Sequence, residues 1–198
     1  MKRNYIIGID EVGRGCLAGP LTVGAILKKG RVDLRGIKDS KKLSVKQRGE
    51  WLEKIKSWNL KHEALSVATA SIGAQIIDKI GISAAARLAV GRCLKKLKLS
   101  SKFHVSRFKI LLDGSLYAPR TYLNQKTIIK GDEKIPLIAA ASIVAKVHRD
   151  NKMARLHKSF PHYGFAIHKG YGTKFHSAAI KKHGLSKIHR RSFCSKVM

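Results

Sequence analysis

Short apolar stretches rich in β-branched residues recur along the chain, and their length predicts strands rather than helices. The first two run from Tyr5 to Ile9 and from Leu21 to Leu27, and the second is the natural hairpin partner of the first. Three more predicted strands cover about His62 to Ala68, Phe108 to Leu112 and Thr127 to Lys130. The chain is therefore expected to contain five strands.

Apolar residues at helical spacing predict helices between and after these strands. One runs from about Val45 to Trp58 with Ser44 as its N-cap, and another runs from Ile82 to Leu97. A long helix begins at Pro136 and continues to about Leu156, and its alanine-rich face predicts close packing on the sheet. A shorter helix is predicted from about Lys174 to Lys182. The apolar stripe of the second helix is expected to consist of Ile82, Ala85, Leu88, Ala89 and Leu94.

The alternation of strands and helices favours an α/β protein, and 198 residues suit one domain that buries its own core. No internal repeat or low-complexity linker divides the chain. Beyond about residue 158 the sequence changes to interleaved glycines, aromatic residues and bases. We therefore expect a single domain over 1–198, with an α/β core over about 1–158 and a small helical C-terminal cap over about 159–198.

The charge balance points to a polyanionic partner. Lys and Arg number 41 against 12 Asp and Glu, which gives a formal net charge of +29. Nucleic acid is the usual partner of such a protein. An anionic membrane surface is the competing partner, but no long basic amphipathic helix with an aromatic apolar face supports it, and the apolar run from Ile135 to Ala145 is too short to span a bilayer.

The cysteines indicate that the protein works in a reducing compartment of the cell. Cys16, Cys93 and Cys194 are odd in number and lack the spacing of metal ligands, so we expect reduced thiols. No signal-peptide pattern precedes the first predicted strand. A cytoplasmic location is therefore expected.

Carboxylates are rare in this basic chain, and four of them lie at strand ends or beside glycine: Asp10, Glu11, Asp113 and Asp132. Asp10 and Asp113 each follow an apolar strand, and strands that end alike are expected to be parallel neighbours whose ends form one site. Glu11 can join that site only if the strand stops and the chain turns. Carboxylates gathered in a basic field suggest a cation held against a phosphate, although a solvated strand end is the commoner fate of an isolated Asp-Glu pair.

Two loops have the composition of anion sites. In Gly13-Arg14-Gly15 the glycines let the backbone approach a ligand, and the guanidinium is available for an anion. In the loop that contains Ser40 and Lys41, a serine, lysines and the free amides of the following helix could bind a phosphate. A capped helix with solvated lysines fits the second spacing equally well.

The tail between His162 and Lys174 interleaves aromatic residues, glycines and bases, and aromatic rings beside cations can stack on bases or sugars. Several of the nine histidines lie in this region, but their spacing matches no common zinc pattern, so no metal site is expected from them. Asp150, which follows Arg149, is expected to form a surface ion pair rather than to bind a ligand.

Together these motifs resemble ribonuclease HII, the type 2 ribonuclease H family. The resemblance lies, in chain order, in Gly8 to Gly15 with Ala18 to Pro20, Asp39 to Leu43, Leu112 to Gly114, Gly131-Asp132, Ala140 to Val147 with Arg149-Asp150, and Lys169 to Lys174. Because these segments cover the chain almost end to end in the family's order, the set is far more specific than any one of them.

The resemblance implies an RNase H-like α/β fold, with a mixed five-stranded sheet flanked by helices. It implies an endonuclease that cuts the RNA strand of RNA–DNA hybrids and cuts 5′ of single ribonucleotides embedded in duplex DNA, with a role in removing ribonucleotides and RNA primers. It also suggests a monomer. By position, the catalytic metal ligands would be Asp10, Glu11, Asp113 and Asp132. The substrate would be bound by Gly13, Arg14, Gly15 and Tyr171 at the 2′-hydroxyl of the RNA–DNA junction, and by Ser40 and Lys41 at a phosphate.

The chemistry expected of such a site is hydrolysis with two divalent ions about 4 Å apart. Oxygen ligands suit Mg²⁺, with Mn²⁺ a plausible substitute, and four carboxylates against two such ions leave the bare site near neutral. Because no serine or cysteine nucleophile with a matched base is apparent, we expect direct attack by water. The resemblance implies 5′-phosphate and 3′-hydroxyl products, and recognition of a 2′-hydroxyl predicts weak sequence preference.

One segment departs from the family pattern, and three alternatives compete with it. Ile76 and Gly81 stand where relatives usually carry Glu and Asn, which is expected to alter local helix packing more than chemistry. Ribonuclease HIII is disfavoured by Arg14 and by the absence of an N-terminal binding domain. A non-catalytic basic nucleic-acid-binding protein would not need the strand-end carboxylates. Another metal-dependent nuclease or integrase of the same fold would have no use for Arg14 and Tyr171.

Overall fold

The structure, a computed structural model, describes residues 5–60, 63–97 and 108–197, and a five-stranded mixed sheet lies at its centre. The strands are β1 (Tyr5–Val12), β2 (Leu21–Lys28), β3 (Leu65–Ile72), β4 (Phe108–Asp113) and β5 (Gln125–Ile128). Their order across the sheet is β3-β2-β1-β4-β5. β2 pairs antiparallel with both β1 and β3, whereas β1, β4 and β5 are parallel. The predicted hairpin, the predicted parallel pair and the mixed sheet are confirmed.

Two predicted strands are displaced along the chain. The third lies at Leu65–Ile72 instead of about 62–68, and the fifth lies at Gln125–Ile128 instead of 127–130. Residues 61 and 62 are outside the described part of the chain. Both strands are at the edges of the sheet and are only partly buried, so their apolar pattern is weaker than that of the central strands.

Helices flank the sheet, and others come after its last strand in the chain. They are α1 (Val45–Leu60), α2 (Ala74–Ile80), α3 (Ile82–Lys96), α4 (Gly131–Lys134), α5 (Pro136–Ser159), α6 (Phe165–His168) and α7 (Lys174–His183). α1, α3, α5 and α7 were predicted within a few residues, whereas the short α2, α4 and α6 were not predicted. Within the described ranges no helix has the length and apolar character needed to cross a membrane.

The two faces of the sheet are covered by different helices. On one face α3 packs over a core that includes Ile9, Val23 and Leu112. On the other face α5 and α1 pack over a core that includes Ile26 and Ile55. Because side chains alternate along a strand, residues next to each other in β1 belong to different cores.

The close approach of α5 to the sheet explains two strand glycines. A Cβ atom on Gly8 would lie 2.5 Å from the carbonyl oxygen of Leu137, and one on Gly24 would lie 2.4 Å from that of Ala141. Neither glycine has room for any side chain. The predicted close packing of the alanine-rich face of α5 is thereby confirmed.

Two local predictions for helices have different outcomes. Ser44 and Gln47 form a reciprocal capping box at the start of α1, since the Gln47 amide donates to Ser44 Oγ and the Ser44 amide donates to Gln47 Oε1. The inclusion of Leu88 in the core stripe of α3 was wrong, because its side chain is exposed. The buried stripe is centred on Ala85, Ala89 and neighbouring small residues, and Leu88 lies at its rim.

The C-terminal segment forms a third, smaller core against the loop that joins β1 and β2. This core contains Ala18, Met153, Tyr163, Phe165 and Ala179. Three histidines, His168, His176 and His189, are buried around the Phe165 ring. The C-terminal residues therefore pack on the loop that was predicted to bind substrate, and the division of the chain into a core and a cap stays a prediction.

These buried histidines predict a loss of stability in mild acid. Burial lowers the pKa of His189 to about 4, and it also lowers those of His168 and His176. An unfolded histidine takes up a proton near pH 6.5, so the unfolded state gains protons first as the pH falls from 6.5 toward 4. We expect His189 alone to reduce the free energy of unfolding by about 3 kcal/mol across this window.

The measurement is chemical denaturation of the wild type and His189→Gln from pH 7.5 to 4.5. The stabilities of the two proteins should converge as the pH falls, because the variant has no ring at this position to protonate. His162→Gln, a change at an exposed histidine, is the control and should keep the wild-type slope. A constant difference between the wild type and His189→Gln across the range would contradict the prediction.

Candidate active site

Three carboxylates converge where the parallel strands β1 and β4 end. One oxygen each from Asp10, Asp113 and Asp132 lies within 4.8 Å of the other two. Asp10 comes from β1, Asp113 ends the adjacent β4, and Asp132 lies in the first turn of α4. Asp10 and Asp132 are buried, and Asp113 is partly exposed. The structure thus brings together three of the four predicted carboxylates.

The turn before α4 holds Asp113 in place. The amide of Gly131 donates to Asp113 Oδ1 over 2.6 Å, and the amide of Asp132 donates to the same oxygen over 3.3 Å. Lys130 has a left-handed backbone conformation, which directs the chain back over the end of β4. Asp113 and Asp132 are therefore fixed relative to one another by the main chain.

Glu11 is placed differently from the other three acids. The strand was expected to stop at Asp10 and Glu11, but β1 continues to Val12, so these neighbours lie on opposite faces of the sheet. Glu11 Oε1 lies 3.6 Å from Arg14 Nη1. Glu11 Oε2 is buried and has no hydrogen-bond partner among the described residues. An acceptor oxygen in this state fits a cation that it could bind.

Without a bound cation, the negative charges of these acids repel one another. Burial raises the pKa of Asp10 well above its usual range, and the charges of Glu11 and Asp113 raise it further. Burial also raises the pKa of Asp113, with the charge of Asp132 acting in the same direction, and it raises that of Glu11 despite Arg14. Lys41 Nζ, 3.3 Å from Asp132 Oδ2, supplies one positive charge against several negative ones. The oxygen-only donor set, its excess charge and the unpaired Glu11 oxygen fit divalent cations such as Mg²⁺.

Ser40 and Lys41 occupy two different environments. The hydroxyl of Ser40 is buried and lies 2.8 Å from the hydroxyl of Ser142 on α5, which in turn hydrogen bonds to Asp10. The side chain of Lys41 is largely exposed beside Asp132. The Ser40 hydroxyl thus belongs to a network behind the carboxylates, and Lys41 is the member of this pair that is open to a phosphate.

Two buried arginines hold the Gly13-Arg14-Gly15 loop from inside the protein. Arg190 donates to the carbonyl oxygens of Gly13, Arg14 and Gly19 over 2.8, 2.8 and 3.0 Å. Burial lowers the pKa of Arg190 to about 10, so it remains charged at neutral pH. Gly13 has a φ of +87°, and a Cβ there would lie 2.1 Å from Nε of Arg149. The shape of the loop is therefore set by guanidinium groups beneath it.

Arg149 links this loop to the C-terminal segment. It donates to the carbonyl oxygens of Pro20, Ala18 and Lys169 over 2.8, 3.4 and 2.9 Å. Sequence reasoning missed the roles of both arginines, because a buried charge satisfied by loop carbonyls leaves no periodic pattern. The ion pair predicted at Asp150 exists, but its partner is Lys146, with Nζ and Oδ1 2.9 Å apart.

The loop and Tyr171 are neighbours in space. The amide of Leu17 donates to the carbonyl oxygen of Gly170 over 2.9 Å. The guanidinium carbon of Arg149 lies 5.8 Å from the centre of the Tyr171 ring, and the ring is 40 % exposed. Arg14 Nη2 lies 3.1 Å from Ser83 Oγ, at a groove of about 230 Å³ that Arg87 and Tyr117 also line. Arg14 is partly exposed and pairs with Glu11, and the exposed Tyr171 ring lies beside the same loop.

Comparison with known proteins finds the same family by sequence and by structure. The sequence model of the family described as Ribonuclease HII matches residues 7–196. A curated relative named Ribonuclease HII from Coxiella burnetii is 43% identical over 188 residues, which are 95% of this chain and 87% of the relative. Two archaeal structures are similar at 25% identity. The RNase HII in a PCNA:RNase HII complex from Archaeoglobus fulgidus has a TM-score of 0.73 with 94% of each chain covered. The ribonuclease H2 from Pyrococcus horikoshii OT3 has a TM-score of 0.67, covering 98% of this chain and 96% of that one.

Proposed function

The chain belongs to the ribonuclease HII family and is a hydrolase of the ribonuclease H type, and from this premise we propose that it cuts the RNA strand of RNA–DNA hybrids and cuts 5′ of a single ribonucleotide embedded in duplex DNA. The observation that carries the proposal is the cluster of Asp10, Asp113 and Asp132. The partly exposed Arg14 and the exposed Tyr171 lie on two segments that contact each other, the loop after β1 and the C-terminal segment. A net charge of +29 makes a nucleic-acid substrate the natural partner of this surface.

Four carboxylates would hold the metal: Asp10, Asp113, Asp132 and Glu11. When bound, a pair of divalent ions, Mg²⁺ or Mn²⁺, would activate a water molecule and neutralise charge on the phosphate and the leaving oxygen. Asp10 is oriented for this role by the Ser142 hydroxyl, and Asp113 is oriented by the amide of Gly131. Lys41 provides a cation beside Asp132 that can contact a substrate phosphate. Water is the nucleophile in this mechanism, and the products are a 5′-phosphate and a 3′-hydroxyl.

Selection of RNA over DNA would come from the surface formed by Gly13-Arg14-Gly15 and Tyr171. The only chemical difference at the sugar is the 2′-hydroxyl, which both donates and accepts hydrogen bonds. The loop can bind the 2′-hydroxyl with little loss of conformational entropy, because Arg149 and Arg190 already fix the conformation of the loop. The same contacts leave base identity unread, so we expect weak sequence preference.

This activity suits removal of ribonucleotides and RNA primers from DNA, by a monomer acting in the cytoplasm. The main alternative is a basic nucleic-acid-binding protein without catalytic activity. The carboxylate cluster disfavours that alternative, because without metal it would repel the phosphates that the rest of the surface attracts.

The test is incubation of the purified full chain with a duplex that carries one ribonucleotide, in Mg²⁺, in Mn²⁺ or in excess chelator. The expected result is a single cut 5′ of the ribonucleotide with either metal and none with chelator, while an all-DNA duplex stays intact. Binding of both duplexes without cleavage in either metal would support the non-catalytic alternative.

Tyr171→Ala should impair discrimination more than general binding. If the ring contacts the junction sugar, its removal should lower kcat/KM for the single-ribonucleotide duplex by about 10- to 100-fold, the range expected for loss of a stacking contact. Kd for an all-DNA duplex should change less than about twofold, because phosphate contacts dominate that affinity. Tyr171→Phe keeps the ring and isolates the contribution of the hydroxyl. Equal losses in both measurements would mean that the ring serves only packing.

A further inference from the structure

Two buried histidines next to Tyr171 form a hydrogen-bond chain in which the position of each proton is determined. The amide of Ser186 donates to Nδ1 of His189 over 2.9 Å, so the proton of a neutral His189 is on Nε2. That Nε2 lies 3.0 Å from Nε2 of His176, which must therefore accept. His176 then carries its proton on Nδ1 and donates it to the carbonyl oxygen of Tyr171 over 2.9 Å. One direction of donation runs through the whole chain, from Ser186 to Tyr171.

A third histidine, His168, holds the main chain on the N-terminal side of Tyr171. His168 Nδ1 accepts from the amide of Gly170 over 3.1 Å, and its Nε2 donates to the carbonyl oxygen of Tyr163 over 2.6 Å. The amide of Tyr171 donates to the carbonyl oxygen of His168. The rings of His168 and His176 are stacked with their centres 4.4 Å apart. The Tyr171 carbonyl oxygen accepts from the amide of Thr173 over 2.9 Å as well as from His176, so His176 supplies one of its two hydrogen bonds.

The segment held in this way has little freedom to move. Gly170 has a φ of +87°, and a Cβ there would lie 2.4 Å from the carbonyl oxygen of Ala18. Its own carbonyl accepts from the amides of Leu17 and Ala18. A displacement of the Tyr171 carbonyl would therefore change both the orientation of the ring and its distance from the Gly13-Arg14-Gly15 loop.

We propose that His176 and His189 are positioning residues for Tyr171, acting through one hydrogen-bond chain that requires a neutral His176 with its proton on Nδ1. This inference rests on the proposed function, because Tyr171 is the residue assigned there to the junction sugar. It adds that the orientation of the ring is set from within the protein, by residues that do not touch the substrate.

The first test is spectroscopic and needs no substrate. Long-range ¹H–¹⁵N correlation spectra of the full chain at pH 7.5 should show a protonated Nδ1 and an unprotonated Nε2 for His176, and the reverse for His168 and His189. This assignment is diagnostic because free imidazole side chains favour the Nε2–H form. A protonated Nε2 on His176, or rapid exchange between its two forms, would overturn the proposal whatever the enzyme cleaves.

The second test uses two amides that each mimic one ring nitrogen. In His176→Asn the amide nitrogen can occupy the position of Nδ1 and keep the bond to Tyr171, whereas in His176→Gln it reaches the position of Nε2 and loses that bond. We expect His176→Gln to lower kcat/KM for the single-ribonucleotide duplex about tenfold and His176→Asn to lower it less than threefold. Kd for an all-DNA duplex should stay within twofold of the wild type in both. His162→Gln is the control for an exposed histidine.

A double mutant separates positioning from general destabilisation. If His176 acts through Tyr171, then adding His176→Gln to Tyr171→Ala should cause no further loss of kcat/KM. Additive losses, or equal losses in the Asn and Gln variants, would overturn the proposal. A wild-type protein that does not cut the single-ribonucleotide duplex would instead overturn the proposed function, and the spectroscopic result would stand by itself.

Discussion

Asp113→Asn is expected to abolish cleavage, with kcat at least 10³-fold below the wild type, while Kd for a nucleic-acid duplex changes less than about threefold. Asp113 is one of the three clustered carboxylates and the only one of them that is partly exposed. An amide keeps the shape of the side chain and can still accept the hydrogen bond from Gly131, but it loses the charge that a divalent ion requires. Steady-state cleavage of the single-ribonucleotide duplex and a binding titration without metal would measure the two effects.

Thermal unfolding gives a second readout of the same variant. Burial and the charge of Asp132 both disfavour ionised Asp113, so the wild type is destabilised by this group above its raised pKa when no metal is bound. Asp113→Asn should therefore unfold at a higher temperature than the wild type in chelator, and it should gain less stability than the wild type when Mg²⁺ is added. Asp33→Asn is the matched control, since Asp33 is exposed and pairs only locally with Arg35. Wild-type turnover by Asp113→Asn would refute the assignment of metal ligands.

Arg190→Met should lower the free energy of unfolding by about 3 kcal/mol or more. The arginine is fully buried, and its three hydrogen bonds all go to backbone carbonyls in the loop between β1 and β2. Methionine fills much of the volume but leaves the carbonyls of Gly13, Arg14 and Gly19 without their donor, and each unsatisfied buried group costs about 1–3 kcal/mol. Removal of a buried charge offsets part of this loss.

The matched control for this variant is Arg191→Met, because Arg191 is the next residue and its side chain is exposed. The hydrogen bond from the Arg191 amide to Asp78 survives that change. Urea denaturation of both variants would compare them directly. At a low temperature where Arg190→Met is still folded, it should also discriminate poorly between RNA and DNA. The reason is that the loop between β1 and β2 has lost its hydrogen bonds to Arg190. Equal stability of the two variants would show that the loop does not depend on Arg190.

The central strands and two of the acids, Asp10 and Asp113, could be predicted because simple periodicity governs them. β1 and β4 are buried in the middle of the sheet, their apolar runs are unbroken, and parallel neighbours place Asp10 and Asp113 at the same edge. The placement of Glu11 depended on where β1 ends. Because β1 extends three residues beyond the predicted Ile9, to Val12, the side chain of Glu11 lies on the opposite face from that of Asp10.

Other parts of the site could not be predicted from the sequence because they depend on contacts between distant segments. The Ser40 hydroxyl is bound by Ser142, about a hundred residues away, which its loop sequence does not indicate, and its role at a phosphate stays a prediction. Arg149 and Arg190 look like surface cations in a chain with 41 basic residues, yet both are fully buried. Only the folded arrangement of loop carbonyls shows why these charges are inside.

The measurement that tests the central claim most directly is anomalous diffraction from crystals of the full chain soaked in Mn²⁺. The account predicts two anomalous peaks about 4 Å apart, in bonding contact with Asp10, Asp113 and Asp132 and with Glu11 turned toward one of them. A map without an anomalous peak at Asp10, or with Mn²⁺ only at other sites, would contradict it.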